Sequence, residues 1–317
     1  MEQNIYPWGH GRPFNAYSNH FKKLFGQRVQ KLSVDAGFTC PNRDGTLSFG
    51  GCTFCDNAAF NPSYCRRFKD IRKQIDEGIE FHAWRYKHVS RYLVYFQAYS
   101  NTYAPLEVLK ERYNQALSHP AVAGLVIGTR PDCVDEAKLD YLAELNQKHH
   151  IIVEYGIESC YDKTLERINR QHDFATTRRA IEQTTSRGLT TGGHIIFSLP
   201  GESEEMMLSE ADILSKLGLH SLKFHQLLLV RGKKMVKDYE ENPKDFDFMS
   251  FERYSDFIIR FLERLSPDIV IERFAGEVPP RFQAVNNWNL IRNEQVVSTI
   301  EQKMTERKTF QGRLFKQ

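Results

Sequence analysis

Residues 28–55 read RVQKLSVDAGFTCPNRDGTLSFGGCTFC. The opening seven residues, 28–34, form a β-rich run that reads as a strand. A loop follows in which eleven residues separate Cys40 from Cys52 and two separate Cys52 from Cys55. The C-x2-C half puts two thiolates on one tight turn, an arrangement suited to a tetrahedral metal or an iron–sulfur cluster. Pro41, Gly45, Gly50 and Gly51 let the loop fold back so that the thiolate of Cys40 can converge on the other two. A strand followed at once by such a loop is what the C-terminal mouth of a parallel barrel looks like, and barrel chemistry sits at that mouth.

Outward from this stretch, apolar runs alternate with helical patterns. Strands are expected at 91–97, 124–129, 151–157, 193–198 and 221–230. Helices are expected at 64–87, 105–118, 135–148, 162–169, 175–187 and 203–217, with Pro105 at an early helical position and Gly188 and Gly218 as stops. Six strands separated by helices imply parallel β/α units with right-handed crossovers. Their nearly continuous apolar character fits burial on both faces. The expected class is α/β, a partial (β/α)6 barrel, with an open doubly wound sheet as the alternative. After residue 230 the pattern changes to a helix at 250–265, a short run at 269–273 and a helix at 289–305. The chain then divides into an N-terminal extension (1–27), a barrel (28–274) and a basic helical extension (275–317).

At 317 residues with 41% hydrophobic and 26% charged residues, the chain can bury a core and is not of disordered composition. No apolar run approaches the ~18 residues of a membrane span. The start, Met1-Glu2-Gln3-Asn4, lacks a basic segment followed by an apolar stretch, so a cytoplasmic chain with reduced thiols is expected. Four of the six cysteines fall between Cys40 and Cys65, too sparse for a disulfide scaffold. Three accounts of the cluster stand side by side. One is an iron–sulfur site on Cys40, Cys52 and Cys55. Another is a structural zinc site closed by Cys65. The third is a coincidence of buried thiols. Cys133 and Cys160 read as ordinary buried cysteines.

Strand six places Lys223 and His225 on one face and Phe224 on the other. Polar groups inside a barrel wall must serve a site or be paired, so Lys223 and His225 are candidate catalytic residues. Basic segments recur at 22–23, 66–73, 85–91, 178–179 and 231–237, interleaved with aromatics at Tyr6-Pro7-Trp8 and Trp84-Arg85-Tyr86-Lys87. That combination suits an unpaired RNA base, although solvated helix faces give the same pattern. The last 15 residues carry Lys303, Arg307, Lys308, Arg313 and Lys316 against Glu306, either a solvated end or an arm for phosphates. The formal net charge of +3 permits an anionic partner without demonstrating one.

The three-cysteine loop, with Phe54 before the last cysteine, resembles that of radical S-adenosylmethionine (SAM) enzymes. Its long first spacing resembles the branch containing the elongator catalytic subunit. Residues 34–45, VDAGFTCPNRDG, resemble the signature of the YhcC/YtqA family. So do Thr129-Arg130-Pro131-Asp132, Gly156-Ile157-Glu158-Ser159, Ile168-Asn169-Arg170, Leu199-Pro200-Gly201-Glu202 and Gln311-Gly312. The resemblance implies a [4Fe–4S] cluster on Cys40, Cys52 and Cys55, whose open iron chelates SAM. Reductive cleavage would then yield a 5′-deoxyadenosyl radical. It implies SAM contacts from Arg130, Glu158, Arg170 and His194. The family's usual Gly-Gly-Glu after strand two is absent, so Gln97, Tyr99, Ser100 or Asn101 would substitute. It further implies a tRNA-modifying transferase that processes the wobble-uridine side chain from 5-carboxymethylaminomethyluridine toward 5-aminomethyluridine. The implied partners are tRNA, a reductase or a flavodoxin or ferredoxin electron donor, and a methyltransferase that completes the product. A radical enzyme acting on a small metabolite or a protein is one alternative, and a zinc-stabilised RNA-binding protein is another.

Overall fold

A computed structural model describes residues 5–84, 89–285, 288 and 291–316. Seven strands form one sheet: β1 (Val29–Val34), β2 (Arg91–Phe96), β3 (Val122–Thr129), β4 (His150–Glu158), β5 (Thr190–Phe197), β6 (Ser221–Gln226) and β7 (Val270–Arg273). They run in sequence order and every neighbouring pair is parallel. The helices are α1 (Tyr17–Phe25), α2 (Asn57–Phe60), α3 (Ile71–Ala83), α4 (Leu106–Leu117), α5 (Glu136–Asn146), α6 (Asp162–Arg167), α7 (Phe174–Thr185), α8 (Glu204–Ser215), α9 (Lys234–Glu241), α10 (Phe251–Arg264) and α11 (Asn293–Glu306). The sheet curls until its edges face each other across the interior. Lys31 on β1 reaches Glu272 on β7 at 2.5 Å, although the two strands share no ladder. The result is a half-barrel, and the open doubly wound alternative is overturned.

Period two sorts the side chains of each strand. Leu32, Val34, Val94, Phe96, Leu125, Ile127, Val153, Tyr155, Ile195, Phe197, Leu222 and Phe224 point outward into the main core beneath the helices. Each contributes roughly 1.5–3 kcal/mol through burial. The inward set includes Lys31, Tyr95, Glu154, His194 and Lys223. Loops entering the helices end in capping residues: Asp135, Asp173, Ser203 and Ser250 each accept a backbone N–H with the side chain, worth about 1 kcal/mol apiece.

Four sequence expectations change. The sixth strand does not extend to residue 230. It ends at Gln226, whose side chain clamps Gly276 through both N–H and C=O, and Val230 instead pairs antiparallel with Gln283. The run at 269–273 supplies a seventh strand. The helix expected at 64–87 begins only at Ile71, because Asp70 accepts from the N–H groups of Arg72 and Lys73 and so caps it there. Positions 85–87 of that expectation lie outside the described residues, as does position 289 of the terminal helix, which begins at Asn293. Three helices, α1, α2 and α9, were not expected. Alone, nine residues of α1 would be marginal. It persists because Tyr17, Phe21 and Phe25 pack on Leu93, Ala123 and Ile152 and plug the N-terminal end of the half-barrel.

The basic tail folds back as well. Lys303 pairs with Glu252 and Asp256, Arg307 with Asp256 and Arg313 with Glu263, all carboxylates of α10. Three of its five cations are thus held by acids on the body, which overturns a free phosphate-binding arm. Gln311 is fully buried. It accepts from Asn15 N–H and donates to the carbonyls of Ser266 and Ile269, pinning both chain ends to the core. Among the described residues no helix is long and apolar enough to cross a membrane.

Candidate active site

The loop after β1 closes as its glycines require. Leu47 N–H donates to Pro41 O at 2.8 Å, Gly51 N–H to Asn42 O at 2.8 Å and Gly45 N–H to Ser48 O at 3.1 Å. This brings Cys52 back toward Cys40. The stretch Ile168-Asn169-Arg170 then docks the loop. Thr53 N–H donates to Ile168 O at 3.1 Å, Asn169 Nδ2 to Gly51 O at 2.8 Å, and Asn42 Nδ2 to Asn169 O at 3.0 Å. Cys40, Cys52 and Cys55 all line one cavity of about 440 Å³ that opens at the C-terminal ends of the strands. Burial pushes the Cys55 thiol up to about 12, with Cys52 and Cys40 adding to the effect, and burial also raises Cys40. Two donors face the Cys52 sulfur: Asn42 Nδ2 at 3.3 Å and Arg170 Nη1 at 3.5 Å. Thiols with such donors suit a thiolate-ligated cluster, whose charge the N–H groups would stabilise.

Cys65 does not join them. Its Sγ donates to Ser33 O at 2.9 Å, away from the cavity lining, so the closed four-cysteine zinc shell is overturned. Among the described residues no three metal-binding side chains already stand at the spacing of a single ion.

Around the thiols stand two arginines. Arg130 forks onto Asp132 at 2.8 and 2.6 Å and donates to Arg170 O at 2.6 Å. Burial alone would raise the Asp132 carboxyl, but the Arg130 guanidinium outweighs it and the carboxyl lies below its ordinary range. Arg170 donates to Gly156 O and lies 3.9 Å from Glu158. Buried Nη1 of Arg130 and Nε of Arg170 have no partner among the described residues. Gly156 is needed here, since a Cβ would lie 2.4 Å from Glu158 Oε1 and 3.2 Å from Arg170 Nη2. Tyr99, Glu158 and Ser198, at the ends of β2, β4 and β5, adopt positive φ of 65°, 67° and 68°. For non-glycine residues this is costly backbone, and it clusters where the cavity opens.

Of the positions expected from sequence, Gln97, Tyr99, Ser100, Arg130, Glu158, Arg170, His194, Lys223 and His225 line the cavity with the three cysteines. Asn101 does not. It is fully buried and staples β2 to β3 through Phe96 O at 2.9 Å and Gly128 O at 2.8 Å. Arg273, Glu272, Glu154, Lys31 and Tyr95 were not singled out, yet they form the cavity floor with Lys223. Lys31 Nζ lies 2.5 Å from Glu154 and 2.5 Å from Glu272. Lys223 Nζ lies 3.1 Å from Glu154 and 2.8 Å from Glu272, closing a ring of four charges. His194 Nε2 adds a contact to Glu154 at 2.8 Å. Glu154 is held well below the usual carboxylate range: burial opposes its charge, and the Lys223 and Lys31 cations prevail. The signal was a single charge in the middle of each of two apolar strands, Lys31 in β1 and Glu154 in β4.

Comparison with known proteins agrees with this geometry. Residues 40–214 match the Radical SAM superfamily and residues 219–306 the Radical_SAM C-terminal domain. The chain belongs to the radical SAM superfamily. This radical SAM protein is 33% identical over 316 residues to YtqA of Bacillus subtilis, covering 99% of this chain and 97% of that one. A shorter stretch of 130 residues is 30% identical to a tRNA uridine(34) acetyltransferase of Methanocaldococcus jannaschii, covering 40% of this chain and 23% of that one. Its fold matches archaeal Elp3 of Methanocaldococcus infernus at a TM-score of 0.65 and 16% identity, over 89% of this chain and 64% of that one. The superfamily uses a [4Fe–4S] cluster and SAM.

Proposed function

We propose that this radical SAM enzyme acts on the wobble uridine of tRNA, taking 5-carboxymethylaminomethyluridine toward 5-aminomethyluridine. The observation that carries the reading is a set of exposed aromatics on the segment between β1 and β2, the segment that also carries Cys40, Cys52 and Cys55. His82 at the end of α3 lines the cavity, and its neighbour Trp84 is 76% exposed. On the cluster loop Phe49 is 74% exposed. Phe68 is 89% exposed, with the Arg67 guanidinium 5.2 Å from its ring. Exposed aromatics beside cations offer stacking surfaces and phosphate contacts to an unpaired base. The partial likeness to an enzyme named for tRNA uridine(34) supports the same substrate.

In this reading Cys40, Cys52 and Cys55 hold the cluster, and Asn42 and Arg170 donate to the Cys52 sulfur. Bound there, the cluster and SAM supply a 5′-deoxyadenosyl radical that abstracts a substrate hydrogen. Arg170 and Arg130, with unpartnered buried N–H groups, receive the SAM carboxylate. Gln97, Tyr99, Ser100, Glu158 and His194 position the rest of SAM. Lys223 and His225 face the substrate from the floor. Hydrogen abstraction at the carbon beside the substrate carboxylate would leave a carbon radical; loss of a second electron to the bound cluster would give an iminium, and water would hydrolyse it to the free amine, the carboxymethyl unit leaving as glyoxylate. A flavodoxin, a ferredoxin or a dedicated reductase supplies the electron, and a separate methyltransferase extends the product. The test is SAM cleavage by the anaerobically reconstituted protein with and without bulk tRNA, paired with nucleoside mass spectrometry of a deletion strain. Accumulation of 5-carboxymethylaminomethyluridine in the deletion supports the reading. A normal wobble-uridine profile overturns it.

A further inference from the structure

The cavity floor holds one more cation than it neutralises. Glu154 and Glu272 are both committed to Lys31 and Lys223 in the ring. Arg273 closes β7 beside that ring and makes no ion pair among the described residues. Among the described residues its only hydrogen-bond partner is the imidazole of His225, with Nη2 2.8 Å from Nε2. Its Nε is buried and unpartnered. His225 does not neutralise it: burial, then the Arg273 charge, hold the imidazole well below its ordinary range and therefore uncharged. The contact is built rather than incidental. Gly276 leaves the space for His225, since a Cβ there would lie 2.9 Å from Nδ1, and Gln226 clamps Gly276 at both backbone groups. Arg43 also lines the cavity without an acid, but it sits on the outer loop over the Tyr99 ring. Arg273 is partly buried with its Nε shut off from water, and a guanidinium so placed without a carboxylate favours a ligand that supplies one.

We propose that Arg273, oriented by His225, is the subsite for a carboxylate carried by the substrate. The identity of that substrate rests on the tRNA reading above; the oxyanion subsite itself does not. Guanidinium pairs with carboxylate in a fork, fixing orientation as well as affinity, so the site selects for a carboxylated side chain over its bare amine. A neutral His225 leaves the full cationic charge on Arg273 for that task.

Two arms test it on the reconstituted full-length protein. In the first, about 50 mM acetate or acetamide is added and melting is followed, since a ligand that binds the native state raises its midpoint. Acetate should raise the midpoint of wild type, acetamide should not, and Arg273→Gln should respond to neither. Ligand-free Arg273→Gln should melt no lower than wild type, because the change removes a partly buried charge that no acid among the described residues compensates. A clear fall would make Arg273 structural and overturn the proposal, as would an unchanged acetate response in the variant or none in wild type. In the second arm, anticodon stem-loops carry 5-carboxymethylaminomethyluridine or 5-aminomethyluridine. Wild type should prefer the carboxylated RNA by about tenfold or more, and Arg273→Gln should erase the preference by weakening that RNA alone. Equal loss for both RNAs would assign Arg273 to a backbone phosphate, and loss of SAM affinity would assign it to SAM; either overturns the carboxylate subsite. If wild type binds neither RNA, the tRNA reading fails while the acetate arm still decides the subsite.

Discussion

On its convex side the sheet carries Val34, Phe96, Ile127, Val153, Phe197 and Phe224, all buried beneath helices. On its concave side the same strands carry Lys31, Tyr95, Glu154, His194 and Lys223, joined by ion pairs and hydrogen bonds. The two faces are one residue apart in register and opposite in chemistry. The convex face gains from every apolar atom removed from water and tolerates small changes of shape. The four-charge ring on the concave face is stable only while each of its charges keeps its partner. A single parallel sheet thereby separates the work of holding the fold from the work of shaping a polar cavity.

The largest expected effect tests whether the rim can fail without the fold. Cys52→Ser or Cys55→Ser should abolish cluster iron and SAM cleavage while circular dichroism and the cooperative melt persist, because both thiols sit on the docked loop rather than in the sheet. Unfolding of these variants would break the separation of rim from core. Next comes the ring itself. Glu154→Gln strips the carboxylate from between two buried ammonium groups and should cost about 3–5 kcal/mol in chemical denaturation. Ile127→Val on the convex face should cost about 0.5–1.5 kcal/mol. Similar losses from the two would mean that the ring is solvated and the contrast between faces is overdrawn.

A third test lies between α8 and the mouth. Glu202 accepts from Ser159 and, like Glu210, has one buried carboxylate oxygen without a partner. Burial raises the Glu202 carboxyl to about 7, and burial followed by Glu202 raises Glu210 well above its ordinary range. The native state therefore holds a proton that the unfolded chain, near 4.5, has released. The contribution of Glu202 to wild-type stability should fall as pH rises from about 4.5 to 7 and then level off. Glu202→Gln should remove up to about 3 kcal/mol of that fall, read as the difference between denaturation curves at pH 5 and pH 8. An unchanged pH dependence would show that the two acids reach water. The smallest effect is at the tail. Arg313→Ala should cost under about 1 kcal/mol and leave tRNA affinity and its salt dependence unchanged, since the side chain is half-exposed and already paired with Glu263. A shallower salt dependence would restore the tail as a phosphate arm.

The strands β1 to β5 were legible because buried parallel strands are apolar runs punctuated by helix caps. Helix α1 was not, because its few aromatics acquire meaning only from the barrel end that they plug. The convergence of Cys40, Cys52 and Cys55 on one cavity was legible from spacing, and the presence of Arg170 beside them from its motif, which also docks the cysteine loop through Ile168 and Asn169. Asn101 was misplaced, since its position after β2 does not reveal that its amide turns back to two strand carbonyls.

By itself the sequence determined the β/α alternation, the three-thiol loop and its place after the first strand, because these depend on neighbours a few residues apart. The tertiary structure alone decided that Cys65 faces elsewhere, that the basic tail is tied to α10, and that Arg273 is left without an acid among the described residues. Each of these follows from partners far apart in the chain: Lys31 meets Glu272 across 241 positions. A charge in a strand is equally readable as paired or free until the curl of the sheet brings its neighbours within a few ångströms. Coulomb and desolvation energies are settled at that distance, and spacing along the sequence carries no record of it.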